Sequence, residues 1–250
     1  MAGHSKWSKV KHFKGALDAK RGKLFSRFAK EIMVAARMGG GDPVLNARLR
    51  SAVLAARGQN MPNDTIDRAI KKGTGEIAGG VVEELVYEGY GPNGVAIIVE
   101  TATDNKNRTA ADLRSIFSKN HGHLAASGAV SYLFRRRGQI LVPTMLVSED
   151  RLMDVSLEAG ADDLTSDEEN FVVTTAPDRL YHVGEAIRSA GIEIESLKLT
   201  YLPDTLVAIQ DPQIAGQVFR LCDALEDHDD VQNIYTNVDV PDAVVTQLSA

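Results

Sequence analysis

One continuous stretch decides the fold: GQILVPTMLVSEDRLMDVSLEAGADDLTSDEENFVVTTA, residues 138–176. Strands are predicted in the apolar run GQILVP (138–143) and in the two runs around DDLTSDEENFVVTTA (162–176), which are rich in β-branched residues. A helix is predicted between them at about residues 148–159. A second helix at about 178–190 and a strand in IEIESLKLTYL (192–202) complete the order β-α-β-β-α-β. This is the order of the ferredoxin-like split βαβ unit.

A second α/β unit surrounds the first. VEELVYEGY (82–90) and GVAIIVETATD (94–104) predict a hairpin around GPNG, followed by a helix from about Thr109 and a strand in AVSYLF (129–134). After the ferredoxin-like unit come three further elements, a strand in TLVAI (205–209), a helix at about 212–226 and a strand in VQNIYTNVD (231–239). They complete the unit that began at residue 81, so the sequence predicts one α/β domain interrupted by another.

The N-terminal part predicts three helices. Leu24, Phe28, Ile32 and Ala35 form one apolar stripe of a helix over residues 17–38, which the glycines at 39–41 end. A second helix is predicted with Asp42 as its cap and Pro43 in its first turn. A third follows NMPN, with Asn63 as the cap and Gly73 beyond its last turn.

The predicted fold class is therefore α+β with three domains, an N-terminal three-helix domain and two α/β domains of ferredoxin-like type, one inserted in the other. The predicted domains are residues 1–80 (basic and helical), 81–134 with 204–250 (discontinuous α/β) and 135–203 (inserted ferredoxin-like α/β).

The charge of the chain is divided unequally along its length. The formal net charge is -6, yet residues 1–80 hold sixteen lysines and arginines against six acidic residues. Residues 81–250 hold twelve basic and twenty-eight acidic residues. Such asymmetry is typical of a part that faces nucleic acid and is carried by an acidic, solubilising body. Pairing of the early lysines with that body's own carboxylates would argue against this interpretation.

The early bases are candidate phosphate-binding residues, because lysine binds phosphate as a point charge and aromatic rings stack on exposed bases. Arginines at 135–137 form a second cluster, since the arginine fork makes bidentate phosphate contacts. The candidate nucleic-acid-binding residues are Lys6, Trp7, Lys9, Lys11, Lys14, Lys20, Arg21, Lys23, Arg27, Arg135, Arg136 and Arg137. The alternatives are lysines that only solvate a helix face, arginines that pair with nearby acidic loops, and a Trp7 that pins the N-terminal segment to the body.

No pattern indicates a catalytic site, a metal site or a cofactor. GYGPNG (89–94) matches a dinucleotide-binding pattern but joins two strands, so it predicts a turn. HGH (121–123) has no third metal ligand nearby, and the acidic stretches lack the order of a calcium loop. Cys222 is predicted to lie in the core. We therefore predict a protein that is not an enzyme.

The sequence also bounds the compartment. No run of about 18 apolar residues predicts a membrane helix, and residues 1–30 lack the apolar segment of a secretory signal. A mitochondrial transit peptide is rich in arginine and serine, whereas this segment is rich in lysine. A single cysteine fits a reducing compartment. A cytoplasmic protein without a membrane partner is predicted, and its oligomeric state stays open.

Several motifs in series resemble the YebC family of bacteria, which includes the mitochondrial translational activator of cytochrome c oxidase. The resemblance covers nearly the whole chain. It is carried by MAGHSKWSKVKH, DAKRGKLFSRFAKEI, GGGDP, NARLRSAV, NMPNDTIDRAIKKG, YEGYGPNGVAIIVE, DNKNRTAADLR, GHLAASGAVSYLF and IYTNVD.

The resemblance implies three domains and a non-enzymatic regulator of gene expression. Bacterial members are described as regulators that bind promoter DNA. Other members act in translation, where they bind messenger RNA or the ribosome and relieve stalling at proline-rich stretches. DNA or RNA is therefore the expected partner, with the ribosome as a further candidate.

Two other classes of function stay open from the residues alone. An adaptor would dock a protein partner on its acidic α/β domains, and deletion of residues 1–80 would leave that partner bound. An unrecognised hydrolase would turn over a common substrate as purified protein.

Overall fold

The computed structural model describes the backbone of residues 17–167 and 169–249, and the side chains of residues 22–167 and 169–248. Its helices are α1 (Leu17–Gly39), α2 (Ala47–Gly58), α3 (Asn63–Thr74), α4 (Lys106–Lys119), α5 (Glu149–Glu158), α6 (Leu180–Ser189), α7 (Pro212–Glu226) and α8 (Asp242–Ser249). Its strands are β1 (Glu83–Tyr90), β2 (Ala96–Thr103), β3 (His123–Leu124), β4 (Phe134–Pro143), β5 (Asp163–Ser166), β6 (Asn170–Thr175), β7 (Ser196–Pro203), β8 (Val207–Ala208), β9 (Val231–Thr236) and β10 (Val238–Asp239).

The predicted α+β fold class is confirmed. The described chain forms two compact units, one of residues 135–202 and one that combines the segments before and after it. The division into three domains at the boundaries given above stays a prediction. None of the helices in the described ranges has both the length and the apolar character of a membrane span.

Helices α1, α2 and α3 pack around their own apolar core. Ile32 and Ala35 of the predicted α1 stripe are buried there against Leu49 and Val53 of α2 and Ile66 of α3. Because α1 follows a 3.6-residue apolar period, its extent could be read almost to the residue.

The start of α2 differs from the prediction. Asn46 caps this helix by accepting a hydrogen bond from the Leu49 N–H at 3.0 Å, and its amide donates to the Ala35 carbonyl at 2.8 Å. Asp42 instead accepts from the Val44 N–H at 2.8 Å within the preceding turn. The asparagine prevails because one side chain satisfies backbone groups of both helices, which a local pattern does not reveal.

Helix α3 also ends differently. It begins at Asn63 with Pro62 as its cap, and it continues through Gly73 to a left-handed Gly75. A side chain at Gly73 would collide with the Met33 carbonyl of α1. Gly73 therefore serves the close packing of two helices and not, as predicted, the end of one.

The surrounding unit contains a four-stranded sheet in the order β3-β1-β2-β9. The predicted hairpin is confirmed: β1 and β2 pair in antiparallel register from Glu83 opposite Thr103 to Tyr90 opposite Ala96. Its turn has Asn93 in the left-handed region, which asparagine tolerates. Helices α4 and α7 bring Phe117 and Leu221 into the core of this unit.

Gly89, the last residue but one of β1, allows the backbone to approach an aromatic ring closely. A β-carbon at Gly89 would lie 2.6 Å from the Phe117 ring and 2.8 Å from the His123 carbonyl oxygen. We expect Gly89→Ala to lower the free energy of unfolding by about 1–3 kcal/mol, as overpacking does. Denaturant titration measures this loss. Gly58→Ala is the control because its β-carbon would meet nothing within 4 Å, and equal stability of the two variants would contradict the prediction.

Two predicted strands of this unit are wrong or shortened. Residues 131–133 of AVSYLF form a 3₁₀ turn, and the strand begins at Phe134. TLVAI yields only the two residues of β8, which pair in parallel with β10. Helix α8 was not predicted.

Residues 135–202 form the other unit, and its predicted element order is confirmed. The sheet order is β5-β6-β4-β7, with β6 antiparallel to both β4 and β5, as in the ferredoxin-like unit. Ile140, Val173, Leu180 and Ile187 are buried in a core of its own.

Candidate nucleic-acid interface

Most of the predicted N-terminal site cannot be placed. Lys6, Trp7, Lys9, Lys11 and Lys14 lie outside the described residues. The side chains of Lys20 and Arg21 do so as well, although α1 includes their backbone. Their role in binding a nucleic acid stays a prediction.

The acidic segment, residues 226–230 (EDHDD), contacts the first described bases of α1. The Lys23 ammonium lies 3.2 Å from the Asp227 carboxylate. The guanidinium of Arg27 donates to the Glu226 carbonyl at 2.5 Å. One helical turn further, Lys30 lies 2.7 Å from the Asp230 carboxylate and donates to the Asp229 carbonyl at 2.8 Å.

These contacts change the interpretation of two candidate residues. The segment begins at the last residue of α7, where the helix dipole and the carboxylates both attract cations. Burial lowers the pKa of Arg27, and the charges of Glu226, Asp227 and Asp229 oppose that shift. Internal pairing with carboxylates was the outcome that would argue against phosphate binding. Lys23 shows it with Asp227, and Arg27 is held by the Glu226 carbonyl. A nucleic acid can reach them only if these contacts open.

Asp230 is the buried carboxylate of the acidic segment and accepts several hydrogen bonds. It is 5% exposed and accepts hydrogen bonds from Lys30, from the Thr109 hydroxyl at 2.7 Å and from the Thr103 hydroxyl at 3.1 Å. Burial alone would raise the pKa of Asp230, but the hydrogen bonds from Lys30 and Thr109 outweigh it and lower the pKa to about 2. Asp230 therefore joins α1 to β2 and α4 as an ionised group.

Arg48 on α2 also forms internal ion pairs, in this case with two carboxylates. Its guanidinium bonds the Glu31 carboxylate of α1 at 2.9 and 3.1 Å and the Glu84 carboxylate of β1 at 3.1 Å. Burial would lower the pKa of Arg48, but these carboxylates raise it. Arg48 thus contributes to the structure and is not available to an external phosphate.

Three cations that face solvent lie together on α3. We call Arg68, Lys71 and Lys72 the α3 cations: all three are exposed, and among the described residues none has a carboxylate within 4.0 Å. Lys71 and Lys72 also lie in the last turn of α3, where the helix dipole favours positive charge. Lys71 and Lys72 were predicted only as residues of the last turn of this helix. The positive charge of residues 1–80 was the signal that could have identified them as candidate phosphate-binding residues.

A groove beside these cations adds a fourth basic residue. Its volume is about 530 Å³, and Arg37 and Lys72 line it together with the glycine-rich segment 73–80. Met33 and Ile77 supply apolar wall. The groove therefore combines two cations with an apolar surface, as sites for charged organic ligands do.

Of the arginine cluster at 135–137, one member pairs with an acidic loop. Arg137 lies 3.6 Å from the Asp162 carboxylate, which supports pairing with an acidic loop. Arg135 and Arg136 are exposed on β4. Phosphate binding by these two arginines stays a prediction.

Cys222 and the histidine pair His121 and His123 were not predicted to be chemical sites. Cys222 is buried in the core formed with α7, and burial raises the pKa of its thiol. His121 and His123 are both exposed, and within the described ranges no group of three His, Cys, Asp or Glu side chains is arranged to hold a metal ion.

Relatives with known names resemble the chain over its whole length. A probable transcriptional regulatory protein of Desulfotalea psychrophila is 53% identical over 249 residues and covers 100% of both chains. One of Treponema pallidum is 52% identical over 245 residues, which is 98% of this chain and 100% of the relative. The crystal structure of a conserved hypothetical protein, Aq1575, from Aquifex aeolicus matches with a TM-score of 0.83 and 47% identity, over 91% of this chain and 94% of that one.

Two protein-family models match almost the entire sequence. The N-terminal domain of TACO1/YebC proteins matches residues 5–76, and the second and third domain of TACO1/YebC matches residues 82–238. With the full-length relatives at about half identity, these matches confirm the predicted resemblance. The chain belongs to the TACO1/YebC family.

Proposed function

We propose that this protein is a non-enzymatic, cytoplasmic regulator of gene expression that binds DNA and grips its phosphate backbone through the helical N-terminal part. The names of the relatives support a regulatory role in transcription. The observation that carries the proposal is the exposure of the α3 cations without a carboxylate partner among the described residues. Solvent-facing cations without internal partners attract a polyanion, whereas paired ones do not.

The exposed residues of α3 favour contacts with phosphate over contacts with base edges. Besides the three cations, its exposed face carries Asn63, Asp64 and Asp67. Phosphate contacts fix the register of a protein on a duplex but carry little sequence information. Binding is therefore expected to be strongly salt-dependent and weakly sequence-dependent.

The test removes the α3 cations together. In Arg68→Gln/Lys71→Gln/Lys72→Gln, we expect the slope of log K against log salt on duplex DNA to fall by about 2.7, since each lost phosphate contact accounts for about 0.9. If the remaining contacts are unchanged, affinity at 0.15 M salt falls roughly a hundredfold. Titration of a labelled duplex by anisotropy over a range of salt measures both values.

A matched control distinguishes the loss of specific contacts at α3 from the general effect of removing three positive charges. Arg114→Gln/Arg179→Gln/Arg220→Gln removes the same charge from three exposed arginines outside α1–α3. We expect its slope to stay at the wild-type value. An α3 variant with the wild-type slope, or a control with the same loss, would refute the assignment.

A translation factor that binds messenger RNA or the ribosome is the second candidate, because phosphate contacts alone do not distinguish DNA from RNA. Crosslinking in cells, followed by sequencing of the bound nucleic acid, distinguishes the two. Recovery of discrete promoter fragments supports the proposal, and recovery of ribosomal or messenger RNA in their place overturns it in favour of the second candidate.

A further inference from the structure

Tyr132 stands out on the surface of the unit that surrounds the insertion. It lies in the 3₁₀ turn Ser131–Leu133, and its side chain is 70% exposed. The other large hydrophobic side chains with comparable exposure in the described ranges are methionine, valine and leucine, and none of them is aromatic. An aromatic ring left in water forgoes a large gain in burial, so its position calls for a reason beyond packing.

The loop that carries Tyr132 is held firmly by one buried carboxylate. Glu88 of β1 is 5% exposed and accepts backbone N–H bonds from Gly128 at 2.7 Å, Val130 at 2.7 Å and Ser131 at 2.9 Å. The Glu88 carbonyl also accepts from the Ala125 N–H at 2.8 Å. Surface loops are usually mobile, whereas this one presents its aromatic ring at little further cost in conformational entropy.

Two more rings lie beside this loop. The rings of Tyr90 and His123 are 5.4 Å apart between centroids, with an angle of 32° between their planes. The Tyr90 hydroxyl donates to the Ala129 carbonyl at 2.8 Å. Burial raises the pKa of Tyr90, and the neighbouring Tyr132 and Glu88 shift it in the same direction.

Cationic and imidazole side chains lie next to these rings in the chain. Lys119 ends α4, and His121 follows two residues later with a positive φ of 61°. Both are exposed, as is His123. Exposed aromatic rings and cationic side chains together are the combination that binds single-stranded nucleic acid, because every base has a π-face and every linkage a phosphate.

We propose that Tyr90, His123 and Tyr132, which we call the stacking platform, bind an unpaired nucleobase of a single-stranded nucleic acid. The proposal rests on the proposed function and extends it to a second surface with a different preference. A duplex keeps its bases stacked within the helix and offers the platform only phosphate. Proline-rich peptides also pack on aromatic rings, but Lys119 and His121 favour a phosphodiester chain.

The experiment compares Tyr132→Ala with Tyr132→Phe. The probes are an octanucleotide that contains 2-aminopurine, prepared as RNA and as DNA, and the same DNA sequence as a duplex. We expect Tyr132→Ala to weaken single-strand binding roughly five- to a hundredfold, and to abolish the quenching of 2-aminopurine. Tyr132→Phe keeps the ring and is expected to retain both. Duplex affinity is expected to be unchanged in either variant.

The outcomes separate this inference from the proposed function. If Tyr132→Ala binds the single strand and quenches 2-aminopurine as the wild type does, the platform is overturned. If the α3 variant binds the same probes more weakly than the wild type, that result still supports the proposed function. Loss of duplex binding only in the α3 variant, with loss of single-strand binding in Tyr132→Ala, supports both. If Tyr132→Ala loses affinity for only the RNA or only the DNA octanucleotide, the platform is supported and its preferred type of nucleic acid is identified. Loss of binding to a decaproline peptide without loss of single-strand binding overturns the platform in favour of a peptide site.

Discussion

Replacing Asp230 with alanine is expected to lower the free energy of unfolding by about 3–5 kcal/mol, the cost of removing one partner from a buried ion pair. The variant leaves the Lys30 ammonium and the hydroxyls of Thr103 and Thr109 without their shared acceptor. It also removes one of the links between α1 and the sheet. Denaturant titration measures the loss.

A neighbour in sequence supplies the control for this prediction. Asp229 is exposed, and only its backbone carbonyl accepts from Lys30. Asp229→Ala keeps that carbonyl and is expected to change stability by less than about 0.5 kcal/mol. Equal destabilisation by the two alanine variants would show that Asp230 is not the anchor.

The contribution of Asp230 also depends on pH in a defined direction. Its pKa is about 2 in the folded protein and about 3.9 in an unfolded chain, so the unfolded state binds the proton more tightly. The contribution is complete above pH 4 and is lost as the pH falls towards 2. A comparison of Asp230→Asn with wild type should therefore show a large difference in stability at pH 5 that narrows at pH 2.5.

The substitution Glu88→Gln is expected to lower the free energy of unfolding by about 2–4 kcal/mol. The amide that replaces the carboxylate has one acceptor oxygen, and its NH₂ group faces N–H donors that were bonded to Glu88. Burial alone would raise the pKa of Glu88, but the three backbone hydrogen bonds lower it. Its contribution is therefore present at neutral pH and is lost as the pH falls below the usual range of a glutamate.

Hydrogen exchange locates the effect of this substitution. The amides of Gly128, Val130 and Ser131 should be protected in the wild type and exchange quickly in Glu88→Gln. Glu83→Gln is the control, because Glu83 is exposed on the same strand. Continued protection in Glu88→Gln would contradict the role of this carboxylate.

The elements that could be predicted from the sequence have a strong local signal. The apolar period of α1, the start of α7 at Pro212 after Asp211, and the order of the ferredoxin-like unit each follow from neighbouring residues. AVSYLF was predicted as a strand because its composition suits one. It forms a turn because Glu88, 42 residues before Val130, supplies the hydrogen-bond acceptors that a sheet would otherwise provide.

The candidate site was predictable only in part, for the same reason. The charge of residues 1–80 indicated a polyanion partner but not which cations stay exposed. Lys30 and Asp230 are 200 residues apart, so no spacing rule brings them together. Tyr132 was not predicted as an exposed ring because AVSYLF was predicted to be a strand. In a strand, alternate side chains face opposite sides of the sheet, and Tyr132 would have been an ordinary member of one face.

The place of β9 in the sheet sets the order in which the chain can mature during synthesis. Strand β2 lies between β1 and β9. The buried Thr103 hydroxyl accepts locally from the Asn105 N–H, but the carboxylate that accepts its own proton, Asp230, follows 127 residues later. Residues 135–202 have a complete core of their own and emerge earlier. Domains usually mature from the N-terminus onwards. Here the middle of the chain is free to fold while the segment before it remains an open sheet edge, exposed to mispairing until residue 236 is released.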